Sequence, residues 1–552
     1  MNPLNIGNTI NEELMNFFNE EKYAAWKRKN YGAAAHVAEN FYEQTNKKKI
    51  VIVGDYDVDG NMATKEMVSL LQSIHPQATV SYIMSRRFTD GYGISENIMN
   101  AILSQFIPSE TCVVTVDNGI SQFKALDTLY DKGYTIVLTD HHEPQINEDG
   151  SLKLPKHHCL INPHVRNKEH EKDFNFEHYC GAGVVYQLAK ALIDDEELLR
   201  KEFLPYAAIA TVADVVPLIE DNWKLVKEFL DDSEKLLPKP LCFSDKPAKY
   251  LDEEDIGFLI APILNAAGRL LDNGADKIMH YLFNPTEEEK KELILLNEKR
   301  KELVKEQTNL VMSKIEELGL QKMEPICVSV SGLHHGILGI VAGKVTEKYK
   351  RACFIASDGK GSGRAPDNFD IFQFGFSHMD LFDKFGGHPG ACGFSISDKN
   401  LEKLGVYAKE TEVMEKRHHD IKLAHDQIAE FYTKSKPFRP FGQGNPAPKC
   451  MVRVTPKDNY DYIGKSVVVR NEKGEEVEIK LHFSMRNKDG SKIVHFNHRN
   501  AETGKAFLLN ENDFDGYGTV NLNVFRGEAT PQMNISEVYD PEEEPLALRN
   551  SR

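Results

Sequence analysis

Apolar and polar residues form a regular pattern between residues 49 and 140. Four short runs of mostly β-branched apolar residues are separated by three longer segments, in which apolar residues recur at helical spacing. The predicted strands are Ile50–Val53, Thr79–Ile83, Cys112–Val116 and Tyr134–Leu138, and the predicted helices are Met62–Ser73, Glu96–Gln105 and Gln122–Lys132. Strands that alternate with helices at this spacing predict a parallel sheet covered on both faces.

Acidic and histidine side chains follow three of these four strands. After the first strand come Asp55, Asp57 and Asp59, after the third Asp117, and after the fourth Asp140, His141 and His142. If the first segment stays extended, its three carboxylates at alternate positions point the same way. Open α/β sheets bind their ligands at the carboxyl edge, where these residues would meet.

The residues alone leave two interpretations of these carboxylates open. The Asp55 segment can be a solvated acidic turn, and a single aspartate after a strand, such as Asp117, is often only a helix cap. The alternative is a metal site, because carboxylates placed close together repel one another unless a cation lies among them. Three acidic or histidine-bearing strand ends on one sheet favour the metal site, and oxygen plus imidazole ligands suit Mn²⁺ or Mg²⁺.

Two further residues stand out in the segment that follows. Asp214 lies within the apolar stretch 208–218, and a buried carboxylate must be paired or bind a metal because its burial is otherwise costly. Arg269 follows small residues, a setting in which the backbone can approach a ligand closely. An arginine on the surface is an equally simple interpretation of Arg269.

Residues 285–319 predict one long helix. Thr286 and Glu289 fit a capping box after Pro285, apolar residues recur at helical spacing among Glu and Lys, and Gly319 can end the helix. About 35 residues would extend ~52 Å at 1.5 Å per residue. That length and polarity favour a helix that connects two domains.

The segment from about 323 to 426 predicts a second α/β domain, with strands Ile326–Val330 and Ala352–Ala356 and a helix near Ile337–Tyr349. Two small-residue motifs follow, at 361–364 and at 386–393. Glycines allow backbone N–H groups to approach an anion, and the Ser362 and Arg364 side chains can donate to phosphate. A glycine-serine-glycine sequence by itself is more often only a turn.

The proline-rich segment 437–448 predicts a linker. The alternating segments after it predict about five strands of a small barrel, at Ser466–Arg470, Val477–Phe483, Lys492–Asn497, Lys505–Leu509 and Val520–Phe525. The stretch 471–475 predicts a hairpin turn. Such a barrel can bind a single nucleic-acid strand or can be purely structural, and the residues leave both open.

Composition narrows the class of protein. The 552 residues are 41% hydrophobic and 27% charged, as expected for a soluble protein of several domains. The sequence has neither a run of 18 apolar residues nor a signal-peptide pattern, so we expect a cytoplasmic protein without a membrane span. Its eight cysteines lack C-x-x-C spacing and predict reduced core thiols without a zinc site. The net charge of −17 excludes a uniformly basic surface but allows a local basic groove.

These motifs together resemble the DHH phosphoesterase superfamily and, within it, the RecJ-type single-strand exonucleases. The matching segments are Gly54–Gly60, Arg86-Arg87 before Gly91–Gly93, Val116–Gly119, Asp140–His142, Ala213–Leu218 and Asn265–Leu270. Later segments extend the resemblance over roughly residues 48 to 540. It implies an α/β multidomain fold with a parallel-sheet DHH domain, a long connecting helix, an α/β DHHA1 domain and a C-terminal OB-like β-barrel.

The resemblance also implies domain boundaries. The DHH domain with an N-terminal helical region would occupy residues 1–284 and the connecting helix 285–320. The DHHA1 substrate-binding domain would occupy 321–436, and an OB-fold that binds nucleic acid would occupy 437–552.

The resemblance assigns roles to the candidate residues. One divalent ion would be held by Asp55, Asp57 and Asp117, and a second by Asp59, Asp117, His141 and Asp214, although the division between the two ions stays open. The implied cofactors are two Mn²⁺ or Mg²⁺ ions. His142 would contact the phosphate or donate a proton to the leaving group, and Asp140 would orient a histidine. The residues that would grip phosphates near the 5′ end are Arg87, Arg269, Ser362, Arg364 and His388.

The implied activity is two-metal hydrolysis of single-stranded DNA in the 5′→3′ direction, in DNA recombination and repair. The implied partners are single-stranded DNA and a single-strand-binding protein or a helicase, and we expect a monomer. One alternative is a DHH enzyme for oligoribonucleotides or cyclic dinucleotides, although such enzymes typically lack the barrel. Another is a metal-free scaffold of the same fold, but this chain keeps every metal ligand. No residue is identified that reads a 2′-hydroxyl, so the DNA preference rests on the resemblance.

Overall fold

The computed structural model describes residues 14, 17–29, 31–165, 174–411, 418–455, 461–470, 476–495 and 513–539, with the backbone alone for 461–470 and 476–483. The predicted strand Lys505–Leu509 and the predicted turn at 471–475 lie outside these residues. The chain divides into two compact units. The cleft unit comprises Phe41–Leu160 and Ile260–Val413, and the barrel unit, named for its predicted barrel, comprises Met1–Asn40, Ile161–Leu259 and Met414–Arg552.

Helices and strands alternate over most of the described chain. The strands are β1 (Lys49–Gly54), β2 (Thr79–Met84), β3 (Thr111–Val116), β4 (Thr135–Thr139), β5 (Gln145–Ile146), β6 (Leu152–Lys153), β7 (Cys159–Ile161), β8 (Met323–Glu324), β9 (Ile326–Ser329), β10 (Cys353–Ser357), β11 (Lys360–Arg364), β12 (Lys384–His388), β13 (Ala391–Ser395), β14 (Lys409–Glu410), β15 (Ile421–Leu423), β16 (Cys450–Val454), β17 (Asp461–Arg470), β18 (Glu476–Arg486), β19 (Lys492–His495), β20 (Phe514–Phe525) and β21 (Glu528–Tyr539). The α-helices are α1 (Glu20–Arg28), α2 (Ala35–Thr45), α3 (Val58–Ile74), α4 (Glu96–Gln105), α5 (Phe123–Asp131), α6 (Gly181–Leu192), α7 (Glu196–Glu202), α8 (Leu204–Ala213), α9 (Glu220–Asp231), α10 (Ser233–Leu236), α11 (Glu253–Asp255), α12 (Ala261–Leu270), α13 (Gly274–Phe283), α14 (Glu287–Glu317), α15 (Leu338–Tyr349), α16 (Ile371–Phe376), α17 (Asp398–Val406) and α18 (Ile428–Ser435).

The first sheet of the cleft unit has the strand order β2-β1-β3-β4-β7. β1 pairs in parallel with β2 and β3, and β3 pairs in parallel with β4. Ile50–Val53 of β1 are fully buried, which explains the run of apolar residues because both faces of a parallel sheet are covered. The predicted strands and helices of this region are confirmed, and α3 begins at Val58, four residues before the predicted start at Met62.

The predicted long helix is confirmed as the 31-residue α14. Thr286 caps its start, because its hydroxyl accepts a hydrogen bond from the backbone N–H of Glu289 at 3.2 Å. At 1.5 Å per residue the helix is ~46 Å long. Its second half buries Val304, Val311 and Ile315 in a hydrophobic core shared with β9, β10 and α15.

The second sheet of the cleft unit has the order β12-β13-β11-β10-β9. β9 and β10 are parallel, and the remaining neighbours are antiparallel. Phe354 of β10 and Phe394 of β13 lie in its second hydrophobic core, with ring centroids 5.5 Å apart. The sheet and its helices form the α/β arrangement predicted from the sequence.

The barrel unit contains a seven-stranded sheet in the order β15-β16-β20-β21-β19-β18-β17. The predicted strands that fall on described residues lie within β17, β18, β19 and β20. The sequence prediction missed β15, β16 and β21. β21 contains Pro531, a residue that argues against a strand, and β15 is only three residues long.

The predicted linker at 437–448 is wrong, because this segment is part of a hydrophobic core. Phe438 and Phe441 are buried, and Phe438 stacks on Phe18 with ring centroids 4.2 Å apart. Trp223 of α9 donates a hydrogen bond from its indole to the carbonyl of Phe438 at 3.1 Å. The same core contains Tyr23 of α1 and apolar residues of β16, β20 and β21. The C-terminal sheet therefore shares one core with the N-terminal and central helices of its unit.

Within the part of the chain that the structure describes, no helix combines the length and the low polarity that crossing a bilayer requires.

Replacing Phe438 by alanine should lower the free energy of unfolding of the barrel unit by about 3–5 kcal/mol, because a large buried ring is lost. Both tryptophans of the chain, Trp26 and Trp223, lie in this core, so tryptophan fluorescence during urea unfolding measures the change directly. The matched control is Phe525→Ala, whose ring is 64% exposed and whose loss should leave the midpoint unchanged. An unchanged midpoint for Phe438→Ala would contradict the shared core.

Candidate metal centre and cleft

Three strands of the first sheet end side by side. In the registers of the sheet, Gly54 of β1 lies beside Val116 of β3, and Thr115 of β3 lies beside Leu138 of β4. The carboxylates that come next are therefore at one level: Asp55, Asp117 and Asp140. This edge is a topological switch point, because β2 and β3 lie on opposite sides of β1, and open α/β sheets bind ligands at such points.

The acidic segment after β1 is not extended throughout, so that prediction is wrong. α3 begins at Val58, and Asp57 caps it by accepting a hydrogen bond from the backbone N–H of Gly60 at 3.1 Å. Asp59 therefore lies in the first turn of α3, where it is only 1% exposed. Glycine is required at position 60, since a Cβ atom there would lie 2.5 Å from the carbonyl oxygen of Asp55. The carboxylates converge because the chain turns into a helix.

Asp117 lies at the centre of the acidic residues. Its backbone is left-handed, with φ of +58°, a conformation that is uncommon outside glycine and that concentrates at functional sites. Its Oδ1 atom lies 3.1 Å from Nε2 of His141, and the same nitrogen lies 3.7 Å from Oδ2 of Asp59.

Asp117 is common to two groups of side chains that could each hold a metal ion. In the first group, one ligand atom each from Asp55, Asp57 and Asp117 lies within 4.8 Å of the others. In the second, ligand atoms of Asp117, His141 and His142 satisfy the same condition. Two ligand groups that share one carboxylate are the arrangement that a pair of bridged divalent ions requires.

Electrostatics explain why this centre suits a cation. Burial raises the pKa of Asp55 to about 7, and the Asp57 carboxylate adds to the increase, while a 2.8 Å hydrogen bond from Ser85 opposes it. Burial also raises the pKa of Asp57, with a further contribution from Asp59. A divalent ion would offset both effects, and the oxygen and imidazole donors present here fit Mn²⁺ or Mg²⁺.

Asp140 is fully buried and organises the loop after β4. Its Oδ1 atom accepts hydrogen bonds from the backbone N–H groups of His141 and His142, at 2.8 and 3.1 Å, and Oδ2 accepts one from Ile120 at 2.9 Å. Oδ1 also lies 2.8 Å from Nδ1 of His142. Burial opposes ionisation of Asp140, but the bond to His142 and the other contacts bring its pKa below the ordinary value. Asp140 is thus placed to orient His142.

Asp214 belongs to the barrel unit, where it follows α8. It is partly exposed, so the expectation of a buried carboxylate within an apolar stretch is wrong. The cause is local, because the apolar run 204–213 is a helix that ends at Asp214 rather than continuing past it. Its role as a metal ligand stays a prediction.

A cleft of about 600 Å³ lies within the cleft unit. One side is lined by side chains from the loops after β1 and β2 and from α12, and the other by the start of α15 and by β11, β12 and β13. Four of the predicted phosphate-binding residues line it: Arg87, Arg269, Ser362 and Arg364.

The arginines of the cleft are held in place by neutral groups. Arg87 donates from Nε to the carbonyl of Gly268 at 2.9 Å, and its guanidinium lies 4.0 Å from the centre of the Tyr56 ring. Arg269 donates to the carbonyl of Gly336 at 3.3 Å, and Arg364 donates to the Ser362 hydroxyl at 3.0 Å.

Burial lowers the pKa of Arg269 to about 10, and the neighbouring Arg87 adds to this decrease. Neighbouring, half-buried guanidinium groups of like charge are stabilised by an anion, and phosphate matches their geometry.

The Gly-Ser-Gly-Arg motif lies in β11, which pairs with β10 on one side and β13 on the other. Its backbone N–H groups serve these two ladders, so the expectation that they approach an anion is wrong. Gly361 and Gly363 are instead required for packing, since a Cβ atom would lie 2.1 Å from the Phe394 ring and 2.6 Å from the Cys392 sulphur, respectively.

His388 ends β12 and is exposed, and it is not among the residues that line the cleft. Its predicted phosphate contact stays a prediction. Sequence reasoning missed Tyr92, whose hydroxyl lies 3.0 Å from Nδ1 of His142, and Lys360, Lys384 and Ser395, which line the cleft. The glycines that flank Tyr92 were the available signal, whereas nothing in the sequence distinguished these lysines from surface lysines.

Family models match three segments of the chain in order. The N-terminal domain of the DHH family matches residues 49–211, the DHHA1 domain 324–411 and the RecJ OB domain 419–537.

Known proteins match over much of the chain. The single-stranded-DNA-specific exonuclease RecJ of Bacillus subtilis is 28% identical over 532 residues, which cover 92% of this chain and 63% of that protein. The protein of the same name from Salmonella typhimurium is 30% identical over 387 residues, covering 64% of this chain and 65% of that protein. The chain thus spans less than two thirds of the length of these two relatives.

The fold is also similar to a solved structure. The crystal structure of RecJ in complex with Mn²⁺ from Thermus thermophilus superposes with a TM-score of 0.67 at 22% identity, covering 92% of this chain and 72% of that one. Together with the ordered domain matches, this likeness supports the predicted multidomain architecture. The chain therefore contains segments that match DHH, DHHA1 and RecJ OB domains in this order, and it is similar to RecJ proteins in sequence and in fold.

Proposed function

We propose that this chain is a metal-dependent exonuclease that degrades single-stranded DNA in the 5′→3′ direction, in DNA recombination and repair. The observation that carries the proposal is Asp117, which belongs to two groups of ligands in a unit whose cleft is lined by basic side chains. The relatives from B. subtilis and S. typhimurium are named single-strand-specific exonucleases, which supports the same class of substrate.

The proposed division of the metal ligands is the one that the family resemblance implies. Asp55, Asp57 and Asp117 would hold one ion, and Asp117 would share the second with His141, Asp59 and Asp214. Two bound divalent ions supply a clamp for the scissile phosphate and a lower pKa for the attacking water. The chain contributes the buried position of the carboxylates, because water-excluded charges interact strongly.

His142 is the proposed contact to the phosphate or donor of a proton to the leaving oxygen. Asp140 engages its Nδ1 atom, so we assign Nε2 to the substrate. Fixing the ring through a buried carboxylate favours one tautomer and one orientation, which is what a proton donor requires.

The arginines of the cleft would hold the strand. Arg87, Arg269 and Arg364 present guanidinium groups to a cleft also lined by Ser362, and the match to the RecJ OB domain favours a strand longer than a dinucleotide. An oligoribonuclease or cyclic-dinucleotide phosphodiesterase is the weaker proposal for that reason. A single-strand-binding protein or helicase as partner, a monomeric state and a cytoplasmic location stay predictions.

The direct test of the activity is a digest in Mn²⁺ of a long labelled DNA strand, a dinucleotide and a cyclic dinucleotide, with wild-type protein and Asp117→Ala. We expect the wild type to shorten the long strand from its 5′ end and the variant to be inactive, because both ligand groups lose their shared carboxylate. The variant should stay folded, since removing one carboxylate relieves repulsion. A near wild-type rate for Asp117→Ala would refute the two-metal assignment, and exclusive cleavage of the cyclic dinucleotide would favour the alternative.

Metal binding should weaken at acidic pH. Asp55 has a pKa of about 7 without metal, so below that pH a proton occupies the site that the ion needs. We therefore expect the increase in Tm caused by Mn²⁺ to be larger at pH 8 than at pH 5.5, and to be small at both in Asp55→Asn. In the metal-free protein the free energy of unfolding should instead fall as pH rises from about 4 through 7, because a carboxylate with a raised pKa is harder to ionise in the folded state than in the unfolded state. An increase in Tm that is independent of pH would contradict this assignment.

Replacing Arg269 or Arg364 by alanine should weaken strand binding about 10- to 150-fold, because each charge-assisted contact contributes about 1.5–3 kcal/mol. The dependence of KM on salt should also become less steep. Arg364→Lys should restore only part of the affinity, since lysine lacks the guanidinium fork. Arg28→Ala, at an exposed position of α1, is the control that should change neither quantity. An unchanged KM and an unchanged salt dependence in both cleft variants would show that these arginines do not bind the strand.

A further inference from the structure

The face of the second sheet that lines the cleft carries a row of polar side chains beyond Ser362 and Arg364. In the register of the sheet, Ser395 of β13 lies beside Lys360 of β11 on one side and beside Lys384 of β12 on the other. All three residues line the cleft. We call them the lysine row.

The lysine row and the Ser362 position point to the same face. Side chains alternate along a strand, and the intervening residues of β13, Cys392 and Phe394, are buried in the core. Lys360 and Ser362 are two residues apart on β11, so their positions differ by about 6.8 Å along the strand. At the Ser362 level, Gly393 lies beside Ser362 and Gly386 lies beside Gly393, and a Cβ atom on either glycine would meet nothing within 4 Å. The floor of the cleft is therefore open backbone at this point.

The charges of the lysine row are available to a ligand. Lys360 and Lys384 are exposed, and their ammonium groups form no ion pair or hydrogen bond with any residue that the structure describes. Their strands are separated by β13 alone, so their Cα atoms are about 9.6 Å apart, and two flexible ammonium groups can reach one anion above Ser395. The Ser395 hydroxyl and the two ammonium groups beside it can each donate a hydrogen bond to the oxygen atoms of a phosphate.

The spacing identifies the ligand class. The distance of about 6.8 Å between the levels of Lys360 and Ser362 is similar to the separation of successive phosphates in an extended nucleic-acid strand. It is too long for the two phosphates of a diphosphate. We propose that Lys360, Lys384 and Ser395 form a second phosphate subsite, which binds the phosphate next to the one held by Ser362 and Arg364. This inference rests on the proposed function and specifies the substrate: the cleft distinguishes strands by their number of phosphates.

The test compares two substrates that differ by one phosphate, a 5′-phosphorylated dinucleotide and a 5′-phosphorylated trinucleotide. The metal centre and the Ser362–Arg364 position account for two phosphates, so only the trinucleotide can also fill the lysine row. In Lys360→Ala/Lys384→Ala we expect KM for the trinucleotide to rise about tenfold or more. KM for the dinucleotide and kcat for both should change less than about twofold, and the salt slope for the trinucleotide should fall by about 0.7.

The matched control is Lys399→Ala/Lys403→Ala, which removes two exposed lysines from α17 of the same unit and should leave both substrates unaffected. Equal changes in KM for the two substrates, or no change for either, would overturn the subsite. Binding titrations in the Asp117→Ala background measure the same contrast without turnover. If the wild type hydrolyses neither substrate, the proposed exonuclease fails, and the binding contrast alone then decides the subsite.

Discussion

The close approach of buried carboxylates at one edge of the first sheet is the constraint on which the candidate site depends. Asp55, Asp57 and Asp117 repel one another and are poorly hydrated, so ionising them costs free energy. The fold offsets part of this cost with specific donors, such as the Ser85 hydroxyl and the N–H of Gly60. Divalent ions would offset the rest, so the same repulsion that strains the metal-free centre favours metal binding.

The cleft concentrates positive rather than negative charge, and a bound ligand of opposite charge would again stabilise it. Its arginines are half-buried and bond mainly to neutral carbonyl groups, hydroxyl groups and aromatic rings. The carboxylates that act electrostatically on Arg87 and Arg269 belong to the metal centre. A phosphodiester supplies negative charge to the arginines and oxygen ligands to metal ions. One nucleic-acid strand can therefore neutralise the arginines and also provide ligands to the metal ions, although the chain as a whole carries a net charge of −17.

The barrel unit is constrained by packing rather than by charge. Phe438 and Phe441, in a segment rich in proline, join rings from α1 and α9 in the core under the C-terminal sheet. A truncation before Phe438 would expose the aromatic rings of α1 and α9 and remove the carbonyl of Phe438, which accepts the hydrogen bond from Trp223. A role of the sheet in strand binding is therefore better examined by single substitutions on its surface than by truncation.

The sequence by itself determined the parallel sheet, α14 and the acidic strand ends, because β-branched runs, helical spacing and capping residues report local structure and burial. Only the tertiary structure decided which neighbours these segments meet. Gly361 is required for packing because Phe394 lies above it, and Phe438 is buried because Phe18 stacks on it. Lys360 lies beside Ser395 only because of the register of the paired strands. Such contacts join residues far apart in sequence, and no local pattern encodes them.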